Sequence, residues 1–176
     1  MRKEVNKRAG RSMRCRRACP PVDCRDSLDQ NHRVAYFRDE AEVYEYIGRL
    51  FQAIVEDEEL AARFQRANTV LQYRYSDPEA QITLKLLDGE DPRVDLGPTE
   101  LEAEVVMTMD ADVAHRFWLG EVNVTVALAR GQMRAKGPVA KILRLVPHTK
   151  RVFPRYRAML EEAGRQDLLG VAVTSR

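Results

Sequence analysis

Cysteine is absent from residue 25 onward, so most of the chain can hold neither a disulfide framework nor a thiol nucleophile. Also missing are a Gly-x-Gly-x-x-Gly turn, a phosphate loop and a Gly-x-Ser-x-Gly elbow. Their absence removes the sequence signals of dinucleotide, nucleoside triphosphate and serine-hydrolase chemistry. No apolar run approaches the roughly 18 to 20 residues needed to span a bilayer, which points to a soluble protein. His115 and His148 stand alone and read as surface or helix-end residues rather than catalysts. Asp110 and Asp112, close in sequence, read as helix-start residues. Catalysis, a resident cofactor and a metal are not expected.

Charge is present but unevenly spread. Residues 1–33 hold ten Lys/Arg against four Asp/Glu, a net +6, leaving −4 for the remainder of a 176-residue chain whose total is +2. That first segment has few side chains able to bury apolar surface, so ordering it would cost entropy with little return. It is expected to be a basic disordered tail, followed by one domain over residues 34–176. The tail has no apolar h-region of a secretory signal, although its Arg-rich opening is similar to a transit peptide. It also contains Cys15, Cys19, Cys24 and His32. Their spacing lacks the tight Cys-x2-Cys knuckle that zinc selects, and free thiols are the expectation. Aromatic stacking residues are nearly absent from the tail, which argues against specific nucleic-acid binding and leaves anionic membranes as a competing partner.

Along the domain, Asp39 is placed to cap a helix whose positions Val43, Tyr46, Ile47, Leu50, Phe51 and Ile54 share one face. A shorter helix follows Asp57 with Leu60, Ala61 and Phe64 inward. From Thr69 the period becomes two. Leu71, Tyr73 and Tyr75 form one strand, and Ile82, Leu84 and Leu86 its hairpin partner. Asp88-Gly89 marks a turn, Val94 and Leu96 a short third strand, and Glu104 to Met109 a fourth. This alternation predicts an α+β fold, with helices over one face of the sheet and a wetter opposite face.

A helix from Ala111 stops at Gly120. Val122, Val124, Val126 and Leu128 then alternate as a β-branched strand would, although Val122, Val126 and Ala129 also share a helical face. Gln132 to Lys136 reads as a fifth strand. A helix begins at Pro138 and is ended or kinked at Pro147, and a basic amphipathic helix runs over Lys150 to Ala163 or from Pro154. The apolar residues Leu168, Leu169, Val171 and Val173 follow. Met107, Met109, Met133, Phe117, Trp118, Phe153, Tyr156 and Met159 either fill a core or line a site for a variable apolar ligand, since methionine adapts its shape.

The sequence resembles the sterol carrier protein type 2 (sterol-transfer) domain family from about Asp39 to Leu145. The resemblance rests on Asn68-Thr69-Val70, Asp88-Gly89, Gly97, Leu119-Gly120-Glu121 and the run Gly131-Gln132-Met133-Arg134-Ala135-Lys136-Gly137 leading into Ala140 to Leu145. It implies a five-stranded, mainly antiparallel sheet with helices on one face enclosing an apolar tunnel, and a helix rather than a strand over Val122 to Arg130. It further implies non-enzymatic binding and transfer of a sterol, fatty acid, fatty acyl-CoA or phospholipid. The expected floor is Leu71, Tyr73, Ile82, Leu84, Leu86, Val105, Met107, Met109 and Met133. Phe117, Trp118, Val126, Ile142, Val146, Phe153 and Tyr156 are the expected roof. The competing role within the same fold is to present a lipid-like or quinone intermediate to an enzyme. The expected partners are a lipid or acyl-CoA ligand with transient membrane contact, and the expected location is cytoplasmic.

Overall fold

The computed structural model describes residues 35–170. The expectations for the basic tail, its cysteines, Val171 and Val173 lie outside the described residues. None of the described helices is long and apolar enough to cross a membrane.

Helix α1 (Glu40–Val43) passes through a π-helical turn, Tyr44–Gly48, into α2 (Arg49–Glu56). Asp39 caps α1 by accepting from the Glu42 amide at 3.0 Å, and Asp57 caps α3 (Glu58–Gln65) by accepting from the Leu60 amide at 3.1 Å. Each cap satisfies an amide that the helix start would leave unpaired. The apolar stripe from Val43 to Ile54 is buried.

Strands β1 (Thr69–Ser76), β2 (Ala80–Leu86), β3 (Arg93–Leu96), β4 (Val105–Asp110) and β5 (Met133–Lys136) form one sheet in the order β3-β2-β1-β4-β5. Three of its pairings are antiparallel, and β1 runs parallel to β4 with Leu71 beside Val105 and Tyr73 beside Met107. Registry puts Leu71, Tyr73, Leu84, Met107, Met109 and Met133 on one face. That face carries the helices.

The opposite face departs from the expectation of a wet surface. Because β3 sits at one edge and β4 lies beyond β2 and β1, the connection over 97–104 must cross the sheet. It does so on the far side, held by Gly97 N–H to the Gln81 carbonyl (2.7 Å) and Glu104 N–H to the Val70 carbonyl (3.0 Å). Gln72 and Thr83 are therefore buried there, and Gln72 Nε2 donates to Thr83 Oγ1 at 3.2 Å. A polar cleft of about 800 Å³, with Arg74, Glu79 and Gln81 in its wall, opens beside this strap.

Beyond the sheet come α4 (Ala111–Trp118), α5 (Val124–Ala129), α6 (Val139–Thr149) and α7 (Phe153–Glu162), then a 3-10 turn, Gln166–Leu169. Helix α6 runs through Pro147 to Thr149 instead of ending there. Proline removes the helix bond to the carbonyl four residues back and crowds that carbonyl with its ring. That carbonyl belongs to the exposed Leu143, near the helix end. Pro154 opens α7 in its first turn, as its missing N–H permits.

Candidate functional site

Three methionines of the sheet, Met107, Met109 and Met133, face helices α3 to α6 across a small apolar space. Its volume is about 30 Å³, far less than a lipid occupies. Tyr73 completes the floor. Phe64 of α3, Phe117 of α4 and Val124 of α5 form one side of the roof; Ile142, Leu145, Val146 and Thr149 of α6 form the other. Among the described residues that line it, none is charged. The Tyr73 and Thr149 side chains carry the only hydroxyls among them, and Thr149 already donates to the Val146 carbonyl at 2.8 Å. Tyr73 is only partly buried, yet the surrounding protein raises its phenol well above the ordinary range by desolvation. A neutral, apolar guest is what such walls can accept.

The expected site residues divide into two groups. Tyr73, Met107, Met109, Met133, Phe117, Ile142 and Val146 come together around the cavity. Leu71, Ile82, Leu84, Leu86 and Val105 share the floor's face but are fully packed in the core away from it. Trp118 is also core, edge-on to Phe51 at 5.2 Å and to Phe117 at 4.8 Å. Phe153 stands behind Phe117 at 5.8 Å, and Gly120 leaves room for it, since a Cβ there would come within 2.9 Å of that ring.

Val126 faces solvent rather than the cavity. Helix α5 starts at Val124, so Val124 and Ala127 take its inward side at i and i+3, and residue 126 falls nearly opposite. Its cap, Asn123, accepts from the Val126 amide at 3.2 Å. Phe64, Val124, Leu145 and Thr149 were not among the expected site residues. Phe64 was legible as an inward helical position, but nothing local says which inward positions surround the cavity.

Tyr156 serves a different cluster, and His115 belongs to it. His115 is fully buried; of the expected surface or helix-end placement the helix end holds, since it lies in the last turn of α4, and the surface does not. Its Nδ1 lies 2.9 Å from Tyr156 Oη and its Nε2 2.7 Å from the Leu168 carbonyl. A neutral ring fits both: Nε2–H donates to the carbonyl, and Nδ1 accepts from the phenol. Burial pushes the imidazole down to about 4 and the Tyr156 phenol well up. Next to it Arg165 reaches Glu42 at 3.1 Å, pairs with Asp167 at 2.9 Å and lies 5.0 Å over the Tyr46 ring. These contacts lock the segment beyond α6 onto α1 and α4. Asp110 and Asp112 are tied locally, Asp110 accepting from Ser76 Oγ at 2.6 Å and Asp112 from the Tyr36 amide at 3.0 Å. Among the described residues no group of three His, Cys, Asp or Glu side chains could hold a metal ion.

The comparisons with known proteins agree with this architecture. A family model described as the SCP-2 sterol transfer family matches residues 47–149. The solution structure of sterol carrier protein domain 2 of Helicoverpa armigera is 15% identical with a TM-score of 0.53, over 64% of this chain and 89% of that one. The apo form of sterol carrier protein 2 from Yarrowia lipolytica is 17% identical with a TM-score of 0.50, over 64% of this chain and 91% of that one. A search of curated proteins by sequence finds no match. At such identities the two structures establish a shared fold, while the family match extends over more than half of the sequence. On those grounds the chain belongs to the SCP-2 sterol transfer family.

Proposed function

We propose that this protein binds the apolar body of a lipid between its sheet and helices α4 to α6 and carries it without chemical change. The observation that carries this reading is the lining of the cavity: three methionines, aromatic rings and aliphatic side chains, with no charged group among the described residues. Methionine has three rotatable bonds and a polarizable sulfur, so a floor of Met107, Met109 and Met133 can repack around guests of different shape. A space of about 30 Å³ cannot hold a lipid as it stands, so uptake requires α5 and α6 to move outward. Helix α5 suits that role, being six residues long with only Val124 and Ala127 buried.

The energetics allow useful but reversible binding. Burying about 400 Å² of acyl or sterol surface is worth about 10 kcal/mol gross. Association costs of about 4 kcal/mol or more leave about 6 kcal/mol, a dissociation constant of tens of micromolar. Reversibility is what transfer needs.

Trp118 is the only tryptophan and packs on Phe117, a wall of the cavity, so its emission is a built-in reporter. Titration with a fatty acid, a sterol and a phospholipid should change that emission saturably for at least one class. Should none change it, and none co-purify in native mass spectrometry of protein from its own host, the carrier reading is wrong.

A further inference from the structure

Two large apolar side chains are exposed among the described residues, Val126 and Leu143, each 43% accessible. Both sit on the helices that roof the cavity. On α6, Ala140, Leu143, Arg144 and Pro147 occupy one face at i, i+3, i+4 and i+7, and all are exposed. On α5, Val126, Ala129 and the capping residue Arg130 are exposed together in the same way. The opposite sides of the two helices, through Val124, Ile142, Leu145 and Val146, wall the cavity. The outer surface of the roof is thus apolar with arginines set into it.

Its charge has one sign. Between residues 122 and 160 the sequence holds nine Lys/Arg and no Asp or Glu. Four of these cations are engaged by acids elsewhere: Lys141 by Glu104, Arg151 by Glu59, Arg155 by Asp57 and Arg157 by Glu121. Arg130 and Arg144 pair with no acidic side chain among the described residues. We infer that the α5–α6 face docks on the surface of an anionic lipid bilayer, with Arg130 and Arg144 meeting headgroup phosphates and Val126 and Leu143 entering the acyl boundary. This rests on the carrier reading for its purpose, since it would set the movable wall of the cavity against the lipid source. A nucleic acid would satisfy the arginines but offer nothing to Val126 and Leu143, whereas a bilayer satisfies both.

Sedimentation of the full chain with vesicles tests it. Wild type should bind phosphatidylcholine vesicles containing phosphatidylglycerol, bind pure phosphatidylcholine weakly, and be released by salt. Each arginine near such a surface contributes about fivefold in partitioning, so R130A/R144A should bind about 25-fold more weakly. V126S/L143S should bind the same vesicles more weakly than wild type, with the residual binding still released by salt. All four positions are exposed, so the melting temperature of each variant serves as a folding control. A wild type that ignores anionic vesicles, including one that binds duplex DNA instead, overturns the proposal, as does an R130A/R144A variant that sediments like wild type. In the latter case an R14Q/R16Q/R17Q chain that no longer sediments would place the binding in the tail. Fatty-acid titration without vesicles separates the two readings. R130A/R144A should bind the fatty acid as wild type does, and a wild type that binds vesicles but no lipid monomer would end the carrier reading while leaving the docking face intact.

Discussion

His115 shows how one side chain can hold together segments far apart in sequence. Its two ring nitrogens join α4 to α7 and to the 3-10 turn, and the rings of Tyr36 and Phe37 pack against it, tilted at 4.5 Å and edge-on at 5.3 Å. Burial lowers its pKa in the folded state to about 4 from an ordinary 6.5, so the unfolded chain binds the proton more readily. The associated stability is therefore fully present above about pH 6.5 and is lost as pH falls toward 4, by on the order of 3 kcal/mol. The carboxyls of Glu42, held down first by its hydrogen bond from Arg38, and of Glu104, held down first by Lys141, act in the same direction at lower pH. Their stabilisation is present above about 4.5 and fades below it. Urea melts at pH 7 and pH 5 isolate the histidine: wild type should weaken between them, and H115Q should not. H115A should also cost about 3 kcal/mol at pH 7, because it leaves the Leu168 carbonyl and the Tyr156 hydroxyl unpaired in the core. An equal loss between the two pH values in wild type and H115Q would refute this assignment. Sequence placed His115 on a helix but not in the core, since its two partners lie 41 and 53 residues away.

At the scale of elements, the corner from α5 through β5 into α6 depends on Gly137. Its φ is +104°, and a Cβ there would approach the Glu104 carbonyl oxygen to 2.2 Å. That oxygen is backbone at the start of β4 and cannot swing aside. Lys141 braces the same corner, donating to Glu104 Oε2 and to the Asn68 carbonyl, each at 2.7 Å. Gly137→Ala should destabilise the protein by about 3 kcal/mol, combining left-handed backbone strain with displacement of the edge strand. Thermal denaturation would measure it, and a loss below about 0.5 kcal/mol would mean the corner relaxes freely. This corner was partly legible: the glycine spacing and the alternation of Met133 and Ala135 mark a strand entered and left by turns. Helix α5 was not legible from its own residues, because Val122 to Leu128 fits period two as well as a helical face. Asn123 as a cap and a length of six residues settle it only in context.

For the whole molecule, ligand binding should appear as stability. If the carrier reading is right, a lipid at about ten times its dissociation constant adds about 1.4 kcal/mol. The melting temperature should then rise by about 3 to 6 °C. A scan in which fatty acid, sterol and phospholipid all leave the midpoint unmoved would count against the cavity as a binding site. The alternation of β1, β2 and β4, the capped helices before them and the turn at Asp88-Gly89 follow from the sequence alone, because side-chain period and capping are local properties. Sequence also marks Met107, Met109 and Met133 as inward. Which inward residues meet the cavity is different: Tyr73 and Met109 reach it, while Leu71 and Val105 on the same face do not. That division depends on where α3, α4, α5 and α6 cross the sheet and leave a gap. So do the parallel pairing of β1 with β4, the strap that buries Gln72, and the lock on His115. Each is a contact between segments distant along the chain, and only the tertiary structure decides which distant segments meet.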